Sequence, residues 1–339
     1  MNRWLIVAPS SVALGWIFNR AHVPAAWILA AIICSSAAAL LSGRDLKVND
    51  TFYSACRGII GVLAAMPLVG VPLGDLVRYV VPGLVVAAVT NAVAVGGGWV
   101  LSRHSDLSRE TGVLAMLAGG ASVIPAIAQD LGADMKYVAL TQYLRLLVVS
   151  MTLPVAASFL VTPQQIQQQA PEQFTQWWMW PLVLLIALGG GPVAKKLRIP
   201  VPSVFGPLLV TVVLGTFSPV ALATPEALAV LAFLAIGWVC GGGLSVPSLR
   251  VFARQLPLTI AYIAVVMAAC AGMGWVVARW LGISFFEGYL ATSPGALETV
   301  LALSAEGGAG PAVIALQLIR LVSVLLVAGY LPVMLRRRR

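Results

Sequence analysis

Two arginines lie inside long apolar segments, where a positive charge is costly. Arg145 and Arg320 each stand about nine residues into such a segment, roughly 12–14 Å along a helix that rises 1.5 Å per residue. Each follows a glutamine by three residues, Gln142 and Gln317, and this spacing places both side chains on one helix face. A guanidinium fork beside an amide suits a carboxylate or a phosphate, so the pattern predicts an anion site. Two alternatives stay open: a structural ion pair such as Arg320 with Glu298, or snorkelling to an interface.

Glu298 differs from the other acidic residues in its position. Most of the 12 carboxylates lie at the ends of apolar segments, whereas Glu298 follows Gly295 by three residues inside one. A lone acid beside a helix break can bind Na⁺ or exchange a proton, and can thereby couple transport to an ion gradient. Glu298 is therefore the candidate coupling residue, with an ion pair to one of the arginines as the structural alternative.

Two apolar segments, 110–130 and 286–304, contain the glycines and prolines that break helices. The backbone N–H groups at the start of a half-helix carry partial positive charge, and neighbouring hydroxyl groups add hydrogen-bond donors for an anion. Alternatively, the glycines serve only to let helices pack closely. The candidate substrate-binding residues of the two breaks are Gly120, Ser122, Ser293 and Gly295.

Composition identifies the elements that must position these residues. Of 339 residues, 60% are hydrophobic and 10% are charged, and the mean hydropathy is +0.95. A soluble protein carries roughly a quarter charged residues, so the chain is predicted to be an all-α polytopic membrane protein. Its net charge of +9 comes from residues between the apolar segments and not from a basic stripe, which excludes nucleic-acid binding.

The residue types that carry most enzyme chemistry are sparse. The four cysteines lie in or beside apolar segments without C-x-x-C spacing, and the two histidines stand apart near segment ends. Neither a P-loop nor a nucleophile motif is present. We therefore expect no enzyme activity, no cofactor and no bound metal.

The apolar segments form two similar series. An offset of 176 positions, then 175 after a gap, aligns Gly61 with Gly237, Gly120 with Gly295, and the pair Gln142 and Arg145 with Gln317 and Arg320. We interpret the chain as a first membrane repeat at 1–161, a polar external linker at 162–177 and a second repeat at 178–339. Each repeat is predicted to contain about five transmembrane helices and one broken or re-entrant segment.

Charge distribution predicts the orientation. Five crossings per repeat place the linker outside and the tail Arg336 to Arg339 in the cytoplasm, and most other Lys and Arg residues, Arg57 among them, then fall inside. An odd number of crossings also makes the two repeats inverted in topology. The alternative is a broken segment that crosses fully while a short segment such as 4–19 does not.

Several short motifs stand out: Pro24-Ala-Ala-Trp-Ile-Leu, its second-half equivalent Pro200–Pro207, the break Thr292–Glu298, and the two Gln-x-x-Arg pairs. Together they resemble the membrane AbrB family, a duplicated bacterial integral membrane family. The first half departs from the pattern, because Ala30 replaces the glycine found at 206 and the first break has no acid. The resemblance implies a bacterial inner-membrane protein, similar to antiporters and organic-anion transporters built from five-helix inverted repeats.

These observations together favour a secondary active transporter of a small organic anion, coupled to H⁺ or Na⁺ and working by alternating access. Its expected partners are the anionic solute, the coupling ion and membrane lipids, and the sequence leaves homodimer formation open. Two other functions are kept as alternatives: a non-transporting membrane regulator or sensor of a partner protein, and a lipid-phosphate transporter.

Overall fold

The computed structural model describes an all-helical chain. The described residues are 3–21, 23, 25–104, 107–117, 124, 128, 131–160, 176–197, 199, 201–217, 223–243 and 256–336, and within these ranges there is no strand. Gly120, Ser122, linker residues 162–175 and the last three arginines lie outside the described residues. The predicted all-α class is confirmed for the part of the chain that is described.

The helices follow the apolar segments of the sequence. In the first half they are α1 (Trp4–Arg20), α2 (Ala26–Ser42), α3 (Asp50–Ala65), α4 (Leu73–Val77), α5 (Val80–His104), α6 (Arg109–Met116) and α7 (Met135–Leu160). In the second half they are α8 (Met179–Lys196), α9 (Pro202–Phe217), α10 (Glu226–Gly242), α11 (Leu256–Leu281), α12 (Phe285–Thr292), α13 (Leu297–Glu306) and α14 (Pro311–Arg336). A 3-10 turn, Met66–Leu68, follows α3.

Several of these helices can cross a membrane by length and composition. Among the described residues, four stretches are long and apolar enough: Asp50–Leu68, Gly74–Arg103, Tyr137–Leu160 and Ala264–Leu281. Shorter apolar helices accompany them at Ala26–Ser42, Pro202–Phe217, Glu226–Gly242 and Pro311–Val327. The chain is therefore a multi-pass membrane protein.

Helix bounds recur at a constant spacing between the two halves. The first residues of α5 and α11, Val80 and Leu256, are 176 positions apart, and so are the last residues of α7 and α14. Ala25 and Val201, separated by the same number, both adopt left-handed backbone angles, with φ of 57° and 46°. Such angles are rare for residues other than glycine, so equivalent strain at the entrances of α2 and α9 is a specific similarity.

The described chain divides into two compact units that cut across the sequence halves. Unit 1 comprises Met1–Pro72, Ser150–Val251 and Leu297–Pro311, and unit 2 comprises Leu73–Val149, Phe252–Ala296 and Ala312–Arg339. Each unit therefore takes helices from both halves of the chain.

Helix packing within unit 1 is reciprocal between the halves. Gly61 of α3 lies so close to α9 that a Cβ would clash with the carbonyl oxygen of Val204. Gly237 of α10 lies against α2 in the same way, and a Cβ there would meet the carbonyl oxygen of Ile28. Because 61 with 237 and 28 with 204 are equivalent positions, each half contributes the same two surfaces to this packing.

Unit 2 holds two short half-helices against long helices by paired glycines. Gly98 of α5 contacts Gly112 of α6, and Gly274 of α11 contacts Gly288 of α12, leaving no room for a Cβ at any of the four. Ser108 and Ser284 cap the N-termini of α6 and α12, each accepting a backbone N–H bond at 3.2 Å. Close backbone approach and a matching cap thus fix where each half-helix begins and which face it presents.

Candidate functional site

The second predicted break separates α12 from α13. α12 ends at Thr292 and α13 begins at Leu297, so residues 293–296 carry the chain between two half-helices. Pro294 and Gly295 explain the interruption, because neither residue favours a helix interior. α6 likewise ends at Met116, but residues 118–123 of the first break are outside the described ranges.

The second glutamine–arginine pair binds the C-terminus of α12. The amide nitrogen of Gln317 donates to the carbonyl oxygens of Leu290 at 2.6 Å and Ser293 at 3.3 Å. Nη1 of Arg320 donates to the carbonyl of Thr292 at 3.3 Å, and makes a shorter hydrogen bond to that of Ser293. Both side chains are buried, with exposed fractions of 1% for Gln317 and 5% for Arg320.

The first pair makes the equivalent contacts at the C-terminus of α6. Nε2 of Gln142 donates to the carbonyl oxygens of Leu114 and Leu117, both at 2.8 Å. Nη1 of Arg145 donates to Leu117 at 2.7 Å and to Met116 at 3.4 Å. The two predicted pairs therefore have the same surroundings in the two halves of the chain.

These contacts reveal a role for the arginines that sequence reasoning missed. The last carbonyl groups of a helix have no partner within the helix and form the negative end of its dipole. A guanidinium at that end satisfies the carbonyls and is itself partly neutralised, which makes burial of the charge tolerable. Gln142 and Gln317 cap the same ends. The sequence signal was the pairing of each Gln-x-x-Arg motif with a broken segment some 25 residues earlier.

The two pairs differ in one hydrogen bond. Nη2 of Arg145 donates to Oε1 of Gln142 at 2.6 Å. In the second pair, Oε1 of Gln317 is buried without a hydrogen-bond partner among the described residues. The hydrogen bonds that these residues offer Arg320 all start from Nη1. Arg145 is thus tied to its glutamine, whereas Arg320 is not.

A cavity lies beside Arg320 within unit 2. It is lined by residues of α5, α11, the break after α12 and α14, and its empty volume of about 440 Å³ includes space open to the surroundings. The lining residues that the structure describes are almost entirely apolar, and among them Arg320 alone is charged. Pockets that bind small molecules commonly combine apolar walls with a few polar groups of this kind.

Ser293 and Gly295, both predicted to bind the substrate, lie in the second break. The Ser293 hydroxyl is buried and donates to the carbonyl of Leu290 at 3.0 Å, so its proton is not available for a hydrogen bond to a ligand. Its carbonyl oxygen, and not its hydroxyl, is what Arg320 contacts.

Glu298 lies in unit 1, in the first turn of α13, and forms an ion pair with Arg57. Nη1 of Arg57 is 3.3 Å from Oε1 of Glu298, and the side chains are 29% and 17% exposed. The guanidinium also lies 5.2 Å from the ring centroid of Tyr53, within range of a cation–π contact. Glu298 is thus paired with Arg57 of α3 and not with Arg320, which was the structural alternative considered from the sequence. The charge distribution predicts that Arg57 lies on the cytoplasmic side.

The sequence of this chain matches one family over most of its length. A sequence model described as "Transition state regulatory protein AbrB" matches residues 27–338. The chain belongs to the AbrB family. The resemblance seen in the motifs is thereby confirmed.

Two bacterial proteins are similar in sequence to this AbrB-family chain. It is 34% identical over 336 residues to "Putative regulator AbrB" of Escherichia coli (strain K12), which covers 96% of this chain and 94% of the relative. It is 26% identical over 223 residues to "Uncharacterized protein YhjN" of Bacillus subtilis (strain 168), covering 61% of this chain and 58% of the relative.

A second acid of the AbrB-family chain lies in a buried setting. Glu306 ends α13, and its carboxyl group accepts a hydrogen bond from the backbone of Ala26, the first residue of α2. Its Oε2 atom is buried and has no hydrogen-bond partner in the described part of the chain. The sequence favoured Glu298 over the acidic residues at the ends of apolar segments, and Glu306 is one of these. Across the described residues, no group of three or more His, Cys, Asp or Glu could hold a metal.

Proposed function

We propose that this AbrB-family protein is a secondary active transporter of a small organic anion, coupled to H⁺ or Na⁺ and working by alternating access. The observation that carries the proposal is the buried guanidinium of Arg320, which lines a cavity while its Nη1 caps a broken helix. A buried ionisable residue beside an internal cavity is typical of a substrate or ion pathway in a membrane protein.

The carbonyl groups that Arg320 caps neutralise only part of its positive charge. A helix C-terminus carries roughly half an elementary negative charge, so a full positive charge facing it retains a net attraction for an anion. No carboxylate among the described residues forms an ion pair with Arg320. An anionic solute entering the cavity would supply the missing charge, and would bind more favourably there than in the cavity of a neutral variant.

Internal symmetry supports an alternating-access mechanism. The recurring helix bounds, the reciprocal glycine contacts in unit 1 and the two capped half-helices in unit 2 are what two inverted repeats would produce. In such folds, substrate sites form at broken helices, and one repeat or bundle moves against the other. Positive charge between the segments favours a cytoplasmic C-terminus in a bacterial inner membrane.

Coupling to an ion has two candidate residues. Glu298 is the stronger candidate by position, because it opens α13 directly after the break, and Arg57 would compete with Na⁺ or a proton for its carboxylate. Glu306 is the second candidate, because its buried Oε2 has no hydrogen-bond partner among the described residues and would hold a proton readily.

Solute flux tests the proposal. Purified protein in proteoliposomes is given radiolabelled benzoate, acetate, succinate or phosphate under an imposed H⁺ or Na⁺ gradient, beside Arg320→Gln, Arg320→Lys and protein-free liposomes. We expect gradient-dependent uptake of at least one organic anion by the wild type, its loss in Arg320→Gln, and weak uptake in Arg320→Lys, since lysine lacks the fork. If the wild-type protein elutes as a single species and takes up none of these anions, the transport proposal is contradicted.

A membrane regulator is the second candidate function, and the names of the family and of the Escherichia coli relative favour it. A regulator would sense a ligand or bind a partner protein without moving a solute. Binding of an anion at Arg320 with no flux under any gradient would favour this function over transport.

A further inference from the structure

The cavity beside Arg320 has a composition that restricts what it can hold. The apolar lining includes Val89 and Val93 of α5 and Val266 and Ala269 of α11, together with Pro294 of the break. Thr90 is also on the wall, but its hydroxyl donates to the carbonyl of Val86 at 2.8 Å. A ligand in this space therefore meets hydrocarbon on most sides, and its polar contacts must be concentrated at one end.

Arg320 provides that polar end. Its Nη1 donates to two backbone carbonyls, which uses both of the hydrogens on that atom. Nε and Nη2 together carry three further N–H groups, for which the described residues provide no acceptor. Nε and Nη2 form the side of the guanidinium that matches the two oxygens of a carboxylate in a bidentate pair.

We propose that the cavity binds a monocarboxylate with an apolar body, its carboxylate on Nε and Nη2 of Arg320 and its body between α5 and α11. This inference rests on the proposed function and narrows the substrate class. A second carboxylate or a sugar would have to lose its water against the apolar wall without a hydrogen-bond partner, which costs several kcal/mol. An aromatic or branched aliphatic body gains from the same wall.

Four water-soluble probes separate the contributions of carboxylate and body. Benzoate has both, acetate has the carboxylate alone, benzyl alcohol has the body alone, and succinate has a second charge in place of an apolar body. Calorimetric titration of the purified protein measures the Kd of each. We expect benzoate to bind at least 10-fold more tightly than acetate, benzyl alcohol or succinate. Arg320→Gln should weaken benzoate binding at least 10-fold and leave benzyl alcohol unchanged.

A matched pair of variants on α11 tests the location of the body. Ala269 is among the residues that line the cavity and its neighbour Ala268 is not, although both alanines are exposed. Ala269→Phe should fill the cavity and weaken benzoate binding at least 10-fold, while Ala268→Phe, with the same added bulk, should leave the Kd within 2-fold. Equal effects of the two substitutions on a folded protein would overturn the assignment of the cavity.

The outcomes separate this inference from the proposed function. Tighter binding of succinate than benzoate, lost in Arg320→Gln, would overturn the monocarboxylate class while leaving an anion transporter intact. Binding of benzoate that is indifferent to both Arg320→Gln and Ala269→Phe would place the ligand elsewhere and overturn the inference. Arg320→Lys, which retains the charge and a capping donor, shows whether any loss of binding comes from the missing fork or from unfolding.

Discussion

Nη2 of Arg145 donates a 2.6 Å hydrogen bond to Oε1 of Gln142, and the equivalent bond between Arg320 and Gln317 is absent from the described contacts. Both pairs cap a half-helix that ends inside an apolar segment. In the first pair the arginine donates to its glutamine. In the second pair Oε1 of Gln317 has no hydrogen-bond partner among the described residues, and the hydrogen bonds that those residues offer Arg320 start from Nη1. This difference is what the proposed function expects, with Arg145 supporting the fold and Arg320 binding the anion.

This difference predicts that the two arginine variants lose different amounts of stability. Arg145→Gln should lower the free energy of unfolding by about 2–3 kcal/mol, because it removes several buried hydrogen bonds and leaves carbonyl groups unsatisfied. Arg320→Gln should lower it by about 1–2 kcal/mol, because fewer bonds are lost. Thermal unfolding in detergent compares the variants. A larger loss of stability in Arg320→Gln than in Arg145→Gln would contradict the asymmetry.

The glycine contacts that seat the half-helices predict a steric effect with an internal control. Gly274→Ala places a Cβ 2.8 Å from the backbone nitrogen of Tyr289, so α11 and α12 must separate. We expect a cost of about 1–3 kcal/mol in unfolding free energy. Gly272→Ala, two residues away with nothing within 4 Å, should be neutral or stabilising by up to about 1 kcal/mol. Equal unfolding temperatures for the two variants would refute the close packing.

The sequence predicted most helix positions, but it did not predict which residues the helices bring into contact. Hydrophobicity alone predicts one apolar segment at 54–76, but α3 begins earlier, at Asp50, where Asn49 caps it through two backbone N–H groups. It ends at Ala65, and a 3-10 turn that contains Pro67 follows. The capping asparagine and the proline are both visible in the sequence, but a prediction from the apolar pattern alone does not use them.

The ion pair of Glu298 illustrates what the sequence does not encode locally. Arg57 and Glu298 are 241 residues apart, and only the packing of α3 against α13 brings them together. Residue type and depth indicated that a buried charge needs a partner, and Arg320 was the example that the sequence offered. The C-terminal carbonyls that Arg145 and Arg320 contact were marked only indirectly, by the helix-breaking residues some 25 positions before each Gln-x-x-Arg motif.

A double-mutant cycle measures the strength of this pair. Arg57→Gln and Glu298→Gln, singly and together, should show a coupling of about 1 kcal/mol in unfolding free energy, a modest value because both side chains are partly exposed. Strictly additive effects would mean that the ion pair contributes nothing to stability, and would leave the carboxylate available for an ion.

Replacing each candidate acid identifies the coupling residue. Glu298→Gln should abolish the dependence of anion uptake on the H⁺ or Na⁺ gradient, because a neutral amide cannot gain or release the ion. Glu306→Gln should preserve that dependence if Glu298 is the coupling site. The reverse result, measured in the same proteoliposomes, would assign coupling to Glu306.

The proposed inverted repeat makes a prediction about topology. Reporter fusions at Ala170 in the linker and at Arg339 should report opposite sides of the membrane if five crossings separate them, as we propose. A fluorescent reporter active only in the cytoplasm and a phosphatase active only outside provide the readout. Reports from the same side would refute five crossings in the second repeat.

Counterflow of benzoate tests most directly whether Arg320 carries an anion across the membrane. Proteoliposomes loaded with unlabelled benzoate are diluted into tracer benzoate, so that transient accumulation of tracer requires a carrier and no ion gradient. We expect the wild type to accumulate tracer above the level of protein-free liposomes. Arg320→Gln, reconstituted in an equal amount, should accumulate none above that level. Equal accumulation by wild type and Arg320→Gln would contradict this expectation.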